Sequence, residues 1–265
     1  MYNNSRKLFA IAVTVILISN LQTSFAESEP VMITYSDKMS FIEFDGRWTS
    51  FSEWKESSLN SIGSAVKIRS AHFEDFIYIF VDVLHDSTLD KGLDRSVICF
   101  DSDNSKSLIP DSNDYCFIST LDRERGFTLQ GDSPFKFKSN FKQIPNHHNF
   151  IAIGAVSDEN DRYLKSPHPS YEFKIPTDLI QRSNIYGFYV ETFDATSGES
   201  KTWPGGISKK NPMEIPSPSM WGEMISIDKT LPEIPFPLLI FTIMILTMII
   251  MSRYLNYGGL RINTF

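Results

Sequence analysis

The sequence predicts an all-β fold: an antiparallel β-sandwich of jelly-roll-like kind, with one transmembrane helix at the C-terminal end. Three observations carry that expectation. Residues 76–84 and 96–104 are dense in β-branched and aromatic side chains, and polar, turn-prone sequence bounds both runs. In the first run Phe76, Tyr78, Phe80 and Asp82 fall on one face and Ile77, Ile79, Val81 and Val83 on the other. A strand apolar on nearly both faces belongs inside a sheet that is covered on both sides. Further short runs of this kind recur at near-regular spacing with few helical periods between them, the pattern of a sandwich.

Taken in order, residues 1–26 open with Arg6-Lys7, continue through the apolar run from Leu8 to Ile18 and end in Ser24-Phe25-Ala26. A basic start, a short apolar stretch and a small-residue end describe a secretory signal peptide, with an uncleaved anchor as the other reading. Residues 32–35 and 41–44 read as short strands, and Asp45-Gly46 is a turn signal. Within 48–56, Ser52 ahead of Glu53-Trp54-Lys55 predicts a short capped helical turn. Residues 65–72 alternate apolar with polar, as a half-exposed strand does.

The two central strands follow, and a polar loop spans residues 101–114. Residues 115–120 and 126–130 return to the sheet, and 149–156 and 170–174 add strands. Residues 175–180 read as a short helix started by Pro176. Residues 185–193 form another strand and 221–227 the last, after a proline-rich edge loop at 210–219. The extracellular sandwich is therefore expected over 27–230. Residues 231–252 hold a motif and the transmembrane helix, whose uncharged run from Ile234 to Met251 just reaches the length of about 18 residues that a span requires. Arg253 and Arg261 behind it mark 253–265 as a short cytoplasmic tail.

With 25 Lys and Arg against 32 Asp and Glu, the chain carries a net charge of −7. Four of those cations, Arg6, Lys7, Arg253 and Arg261, lie in the terminal segments, so the middle is more acidic still. Such a domain has no electrostatic footprint for a phosphate backbone, which argues against nucleic acid as a partner and suits solubility or cation binding. Cys99 and Cys116 are the two cysteines. In an oxidising compartment an even count favours one disulfide, the alternative being two buried thiols.

Three sets of side chains are candidates for chemistry. The acidic loop offers oxygen from Asp101, Asp103, Asn104, Asp111, Asn113 and Asp114. Calcium takes six to eight oxygens, and Asp101 and Asp103, two apart at a strand end, can face the same side. The spacing is not that of an EF-hand, and a solvated turn is the competing reading. Trp203 and Trp221 lie in loop-like sequence near the end of the domain, where an indole face can stack on a sugar ring. Trp54 is expected in the core. The adjacent His147 and His148 point in opposite directions on an extended chain, and with His168 they show no zinc spacing. Gly-x-Ser-x-Gly, His-Glu-x-x-His and phosphate-loop motifs are missing, so the chain reads as non-enzymatic.

Several of these residues, in order, resemble the carbohydrate-binding module family 9 fold within the DOMON-like group of extracellular sandwiches. They are Asp45-Gly46, Glu53-Trp54, the run from Tyr78 to Asp82 with Asp86 beyond, Asp94-x-Ser-Val, Phe100-Asp101, the run from Tyr171 to Pro176, and Tyr186-Gly-Phe188. The resemblance covers roughly residues 45–227. It implies a non-catalytic module that binds a glycan or surface polymer, with a tryptophan ahead of the Asp-x-Val strand pairing with a later aromatic to clamp a sugar. Here residues 89–93 hold no aromatic, and Trp203 stands as the later partner alone. The C-terminus is similar to archaeal PEF-type sorting signals read by archaeosortases, through Leu231-Pro-Glu-Ile234, an apolar span and Arg253, with Ile234 in place of phenylalanine. The expected protein is thus anchored at the cell surface by its C-terminal helix. A structural envelope protein without a small ligand is the alternative. A haem-holding electron-transfer domain of the DOMON kind is a third, and would draw axial ligands from Met213, Met220 or His168.

Overall fold

The computed structural model describes residues 29–131, 141–207, 209 and 211–230, together with Ile245 and Met248. The expected signal peptide and cytoplasmic tail lie outside the described residues, as does the expected membrane helix apart from those last two. Among the described residues no helix is long and apolar enough to cross a membrane.

The described chain is β-structure throughout, with helices of a single turn. Its strands are β1 (Val31–Tyr35), β2 (Ser58–Ile62), β3 (Val66–Phe73), β4 (Phe76–Val83), β5 (Arg95–Asp101), β6 (Asp114–Thr120) and β7 (Phe127–Gly131). They continue with β8 (Phe141–Ile144), β9 (Ile151–Val156), β10 (Pro169–Pro176), β11 (Ile185–Phe193), β12 (Ser200–Trp203) and β13 (Gly222–Ser226). The short helices are α1 (Thr177–Ile180) and α2 (Ile227–Thr230). One half of the sheet runs β8-β7-β6-β5-β11-β13 and the other β3-β4-β10-β9, with β1 as the shared strand between β13 and β3. At the opposite edge bridges from Leu121 and Arg123 to Gly154 draw the two halves together.

The expectation of a wholly antiparallel sheet needs correcting at β1, which pairs parallel to both β13 and β3. No hairpin ties β1 to either neighbour, so nothing local dictates an antiparallel direction. Three strands were not anticipated. β2, β8 and β12 (SLNSI, FKQI and SKTW) lie at edges or pair with one neighbour, and they lack the dense apolar pattern of central strands. Conversely, residues 41–44 form no strand. A 3-10 turn at Asp37–Phe41, opened by Ser36 accepting from the Lys38 N–H, takes the chain across the sheet instead. Residues 51–56 make hydrogen-bonded turns rather than a capped helical turn. Glu53 there spends its carboxylate on the N–H groups of Glu43, Thr49 and Ser50.

The main core fills the space between the halves. Ile68, Ile79, Val81, Tyr171 and Phe173 come from one side, and Ile98, Phe100, Phe117, Phe188 and Val190 from the other. The alternation read for residues 76–84 is what the structure shows. Ile77, Ile79, Val81 and Val83 enter this core, while Tyr78 and Phe80 join Met39, Trp48 and Trp54 in a second cluster on the outer face. A third cluster, with Val97, Cys99, Cys116, Tyr189 and Trp221, covers the outer face of the other half.

Each outer face is closed by an irregular segment held by one buried glutamate. Glu172 on β10 accepts from Asp45 N–H at 3.0 Å, Gly46 N–H at 2.8 Å and Trp54 Nε1 at 2.9 Å. Gly46 sits at φ +82°, and a Cβ there would stand 2.8 Å from Ala155, so this Asp-Gly pair is a tight docking point. Glu191 on β11 accepts from Ser200 Oγ, Tyr189 OH and Lys209 Nζ, the last at 2.6 Å. Both glutamates point away from the core, because outward positions alternate with inward ones along a strand.

Candidate functional site

With both sheet faces covered, solvent-facing chemistry is left to the loops. The connection between β9 and β10, residues 157–168, is the most built of them. Its base is closed by Ser157 N–H donating to His168 O at 2.8 Å and His168 N–H to Ser157 Oγ at 3.1 Å. Within it Asp161 Oδ1 accepts from Tyr163 N–H at 2.7 Å and Leu164 N–H at 2.9 Å, and the Lys165 ammonium donates to the Asp161 carbonyl. Tyr163 OH in turn accepts from Arg69 Nε on β3 at 2.8 Å.

Held in this way, the loop presents Asn160, Arg162 and Lys165 outward. With Trp48 and Phe51 they line an open depression of about 300 Å³. Trp48 is buried to 1% and forms its floor, whereas Phe51 is 76% exposed and forms its wall. The Arg162 guanidinium lies 5.8 Å from both ring centroids, and Lys55 Nζ lies 5.2 Å from Phe51. An exposed aromatic ring beside flexible polar donors is the chemistry that recognises a ring bearing hydroxyls: C–H groups meet the π-face and donors meet the oxygens.

Beneath the same loop, His168 Nε2 and Asp82 Oδ1 stand 2.6 Å apart, and Asp161 lies alongside. Burial raises Asp82 to about 6 even though His168 opposes the shift. Burial alone would lower His168, but its hydrogen bond to Asp82 and the Asp82 charge outweigh that and raise it. Sequence reasoning saw His168 as a histidine without zinc spacing and as a candidate haem ligand, and did not connect it with Asp82, 86 residues away. Of the candidate axial ligands of the haem alternative, His168 is buried with both ring nitrogens in hydrogen-bond contact, while Met213 and Met220 are exposed.

At the two ends of the acidic loop β5 and β6 place Asp101 directly opposite Asp114. Much of the loop's oxygen is satisfied internally. Asp101 accepts from the N–H groups of Ser105 and Lys106, Asp103 from Ser105, Asp111 from Asn113 and Asp114 Oδ2 from Asp111. Three buried oxygens have no donor: Asn104 Oδ1, Asn113 Oδ1 and Asp114 Oδ1. Burial, with Asp101, Asp111 and Asp103 nearby, pushes Asp114 up to about 7. The disulfide joins Cys99 to Cys116 across β5 and β6 at a Cα separation of 4.1 Å, closing this loop at its base.

The two tryptophans expected at a sugar do not meet one another. Trp221 is 3% exposed, packs with Phe141 and Tyr189 and donates its Nε1 to Pro216 O at 3.0 Å, so the expectation that it stacks on a ligand is corrected. Indole burial against the outer face of β11 satisfies both its apolar body and its one donor. Trp203 is half-buried at the junction of β12 and β13, packed over Gly222 and near Phe188. At the neighbouring loop ends, where residues 89–93 supply no aromatic, Asp86, Asp94 and Asp194 converge instead.

No protein-family model matches the sequence, and no curated protein does. Solved structures do. A family 9 carbohydrate-binding module from Caldicellulosiruptor kristjanssonii in complex with cellotriose covers 77% of this chain and 98% of its own, at 16% identity and a TM-score of 0.50. A structure of such a module from the same organism in complex with glucose covers 75% of this chain and 95% of its own, at 15% identity and a TM-score of 0.49. This chain has a fold like that of the family 9 carbohydrate-binding modules.

Proposed function

We propose that this chain is a non-catalytic glycan-recognition protein of the cell surface, with its sugar platform at Phe51 and the loop over Asp161. The observation that carries the reading is the exposed Phe51 ring facing Asn160, Arg162 and Lys165 across the open depression. Its volume of about 300 Å³ sits at the lower end of small-ligand sites. The likeness in fold to a module solved with cellotriose supports the ligand class. The missing aromatic at residues 89–93 and the packing of Trp203 over Gly222 are why the platform is assigned elsewhere.

A glycan array probed with the full-length protein tests this, in wild type, Phe51→Ala and Arg162→Ala. The expected result is a sugar-dependent signal that both substitutions weaken by tenfold or more. No signal on any glycan favours the structural-envelope reading. A signal unchanged by both substitutions overturns this site.

We propose in addition that the N-terminal domain lies outside the cell and residues 253–265 inside, anchored by the span behind Leu231-Pro-Glu-Ile234. The disulfide supports an oxidising exterior. Calcium is proposed for the loop of Asp101, Asp103, Asp111, Asn113 and Asp114, where the donor-less oxygens of Asn113 and Asp114 support it.

A further inference from the structure

We propose that Asp82, Asp161 and His168 form a buried site for one divalent transition-metal ion of the zinc class, which fixes the loop carrying Asn160, Arg162 and Lys165. The three residues are 0%, 1% and 1% exposed. One ligand atom from each lies within 4.8 Å of the other two. They come from three places in the fold: Asp82 from the outer face of β4, Asp161 from the middle of the loop and His168 from its end.

The hydrogen bonding leaves this cluster with too many lone pairs. His168 Nδ1 lies 2.7 Å from Ser166 O and 2.8 Å from Ser157 Oγ; the carbonyl only accepts and the hydroxyl can accept as well, so Nδ1 carries a proton. In neutral imidazole Nε2 is then an acceptor, yet it faces the carboxylate oxygen Asp82 Oδ1 at 2.6 Å. Asp82 Oδ2 and Asp161 Oδ2 are buried and receive no hydrogen bond at all. Such groups demand a positive charge among them. A proton on Nε2 answers one contact, leaves both Oδ2 atoms bare and leaves the cluster with a net negative charge. A divalent cation between two carboxylates and a neutral imidazole brings the charge to zero and uses the orphan oxygens.

The donor set selects the class of ion. One imidazole with two carboxylates suits zinc and its neighbours, whereas calcium asks for six to eight oxygens. The Nδ1 contact to Ser166 O is the outer hydrogen bond that metal-ligating histidines make. At 2.6 Å Nε2 and Asp82 Oδ1 share a proton in the metal-free protein and stand closer than two ligands of one tetrahedral ion, so metal entry releases that proton to solvent and opens the contact by about 0.7 Å.

The test measures metal directly and uses no sugar, so its failure is separate from failure of the glycan reading. Full-length protein is loaded with zinc, dialysed against metal-free buffer and assayed for metal by mass spectrometry, with melting followed in zinc and in chelator. Asp161→Asn is the informative variant. Its Oδ1 keeps the Tyr163 and Leu164 hydrogen bonds, and its amide points a donor at Asp82 where the bare oxygen was. Wild type is expected to retain one equivalent of zinc and to melt higher with zinc than with chelator. Asp161→Asn is expected to remain folded, retain less than a tenth of an equivalent and melt alike in both. The His147 and His148 rings, 4.3 Å apart, are a control for surface binding, so His147→Ala with His148→Ala must leave the retained zinc unchanged. Zinc that is lost from that double variant, zinc that survives Asp161→Asn, or a wild type that retains none overturns the proposal.

Discussion

Trp54 donates its indole Nε1 to Glu172 Oε1 at 2.9 Å, and both side chains are wholly buried. The other carboxylate oxygen holds the N–H groups of Asp45 and Gly46. A carboxylate on the outer face of a central strand thus pins the segment that covers that face. Burial drives Glu172 well above the usual carboxylate range, against the Trp54 and Gly46 hydrogen bonds that favour its charged form.

Glu172→Ala is expected to cost about 3 kcal/mol or more, since it strands three donors at roughly 1 kcal/mol or more apiece. Trp54→Phe keeps most of the ring contact with Phe80 and loses one hydrogen bond, for about 1 kcal/mol or somewhat more. Urea unfolding of both variants checks the ranking. A loss below 1 kcal/mol in Glu172→Ala would show that the segment holds by apolar contact alone.

The disulfide gives a second prediction. Cys99 and Cys116 close a loop of 17 residues. The chain-entropy model assigns roughly 3 kcal/mol to a loop of that length. Cys99→Ala with Cys116→Ala should unfold at correspondingly lower denaturant, and reductant should shift wild type but not the double variant. An equal response of both proteins to reductant would remove the bridge from the account of stability.

The two central strands were legible because the sequence there is apolar with period two on both faces. Tyr78 and Phe80 against Ile79 and Val81 leave no other place for them than a sheet covered twice. The disulfide was legible for a related reason, since one short loop separates the strands that carry Cys99 and Cys116. Asp45-Gly46 and Glu53-Trp54 could be seen as a motif, but their shared partner Glu172 lies more than a hundred residues away and no local pattern reveals it. Asp82, Asp161 and His168 were hidden in the same way: each is an ordinary polar residue until the fold brings them together. Trp221 misled because proline-rich surroundings look exposed, while Pro216 in fact supplies the carbonyl that lets the indole be buried.

A pH dependence follows from Asp94. Burial, with Asp86 and Asp90 nearby, raises it from 3.8 to about 6 against hydrogen bonds from the Ala195 and Asp90 N–H groups. The folded protein therefore binds this proton more tightly than the unfolded chain does. The stabilisation is fully present below about pH 4, falls as pH rises through about 6 and is absent above that. Asp94→Asn cannot titrate, so its stability should change less than that of wild type between pH 4 and pH 7. Parallel pH profiles for the two proteins would show that Asp94 titrates alike folded and unfolded.

The last prediction concerns the loop that the disulfide closes. Asp114 Oδ1 and Asn113 Oδ1 are buried without donors, and Asp101 stands across the ladder from Asp114. An ion that binds only the folded protein stabilises it by mass action, about 2.7 kcal/mol at a hundredfold excess over its dissociation constant. For a domain of this size that corresponds to a rise in melting temperature of roughly 5–10 °C. Asp114→Asn keeps an acceptor for the Asp111 N–H and replaces the bare oxygen with a donor that can reach its neighbours. It should melt at the same temperature in calcium and in chelator, whereas wild type should not. The zinc-site variant Asp161→Asn should keep the calcium response in full, because the two clusters share no ligand. Equal midpoints for wild type in calcium and chelator would reduce residues 101–114 to a turn that satisfies itself through Ser105, Lys106 and Asn113.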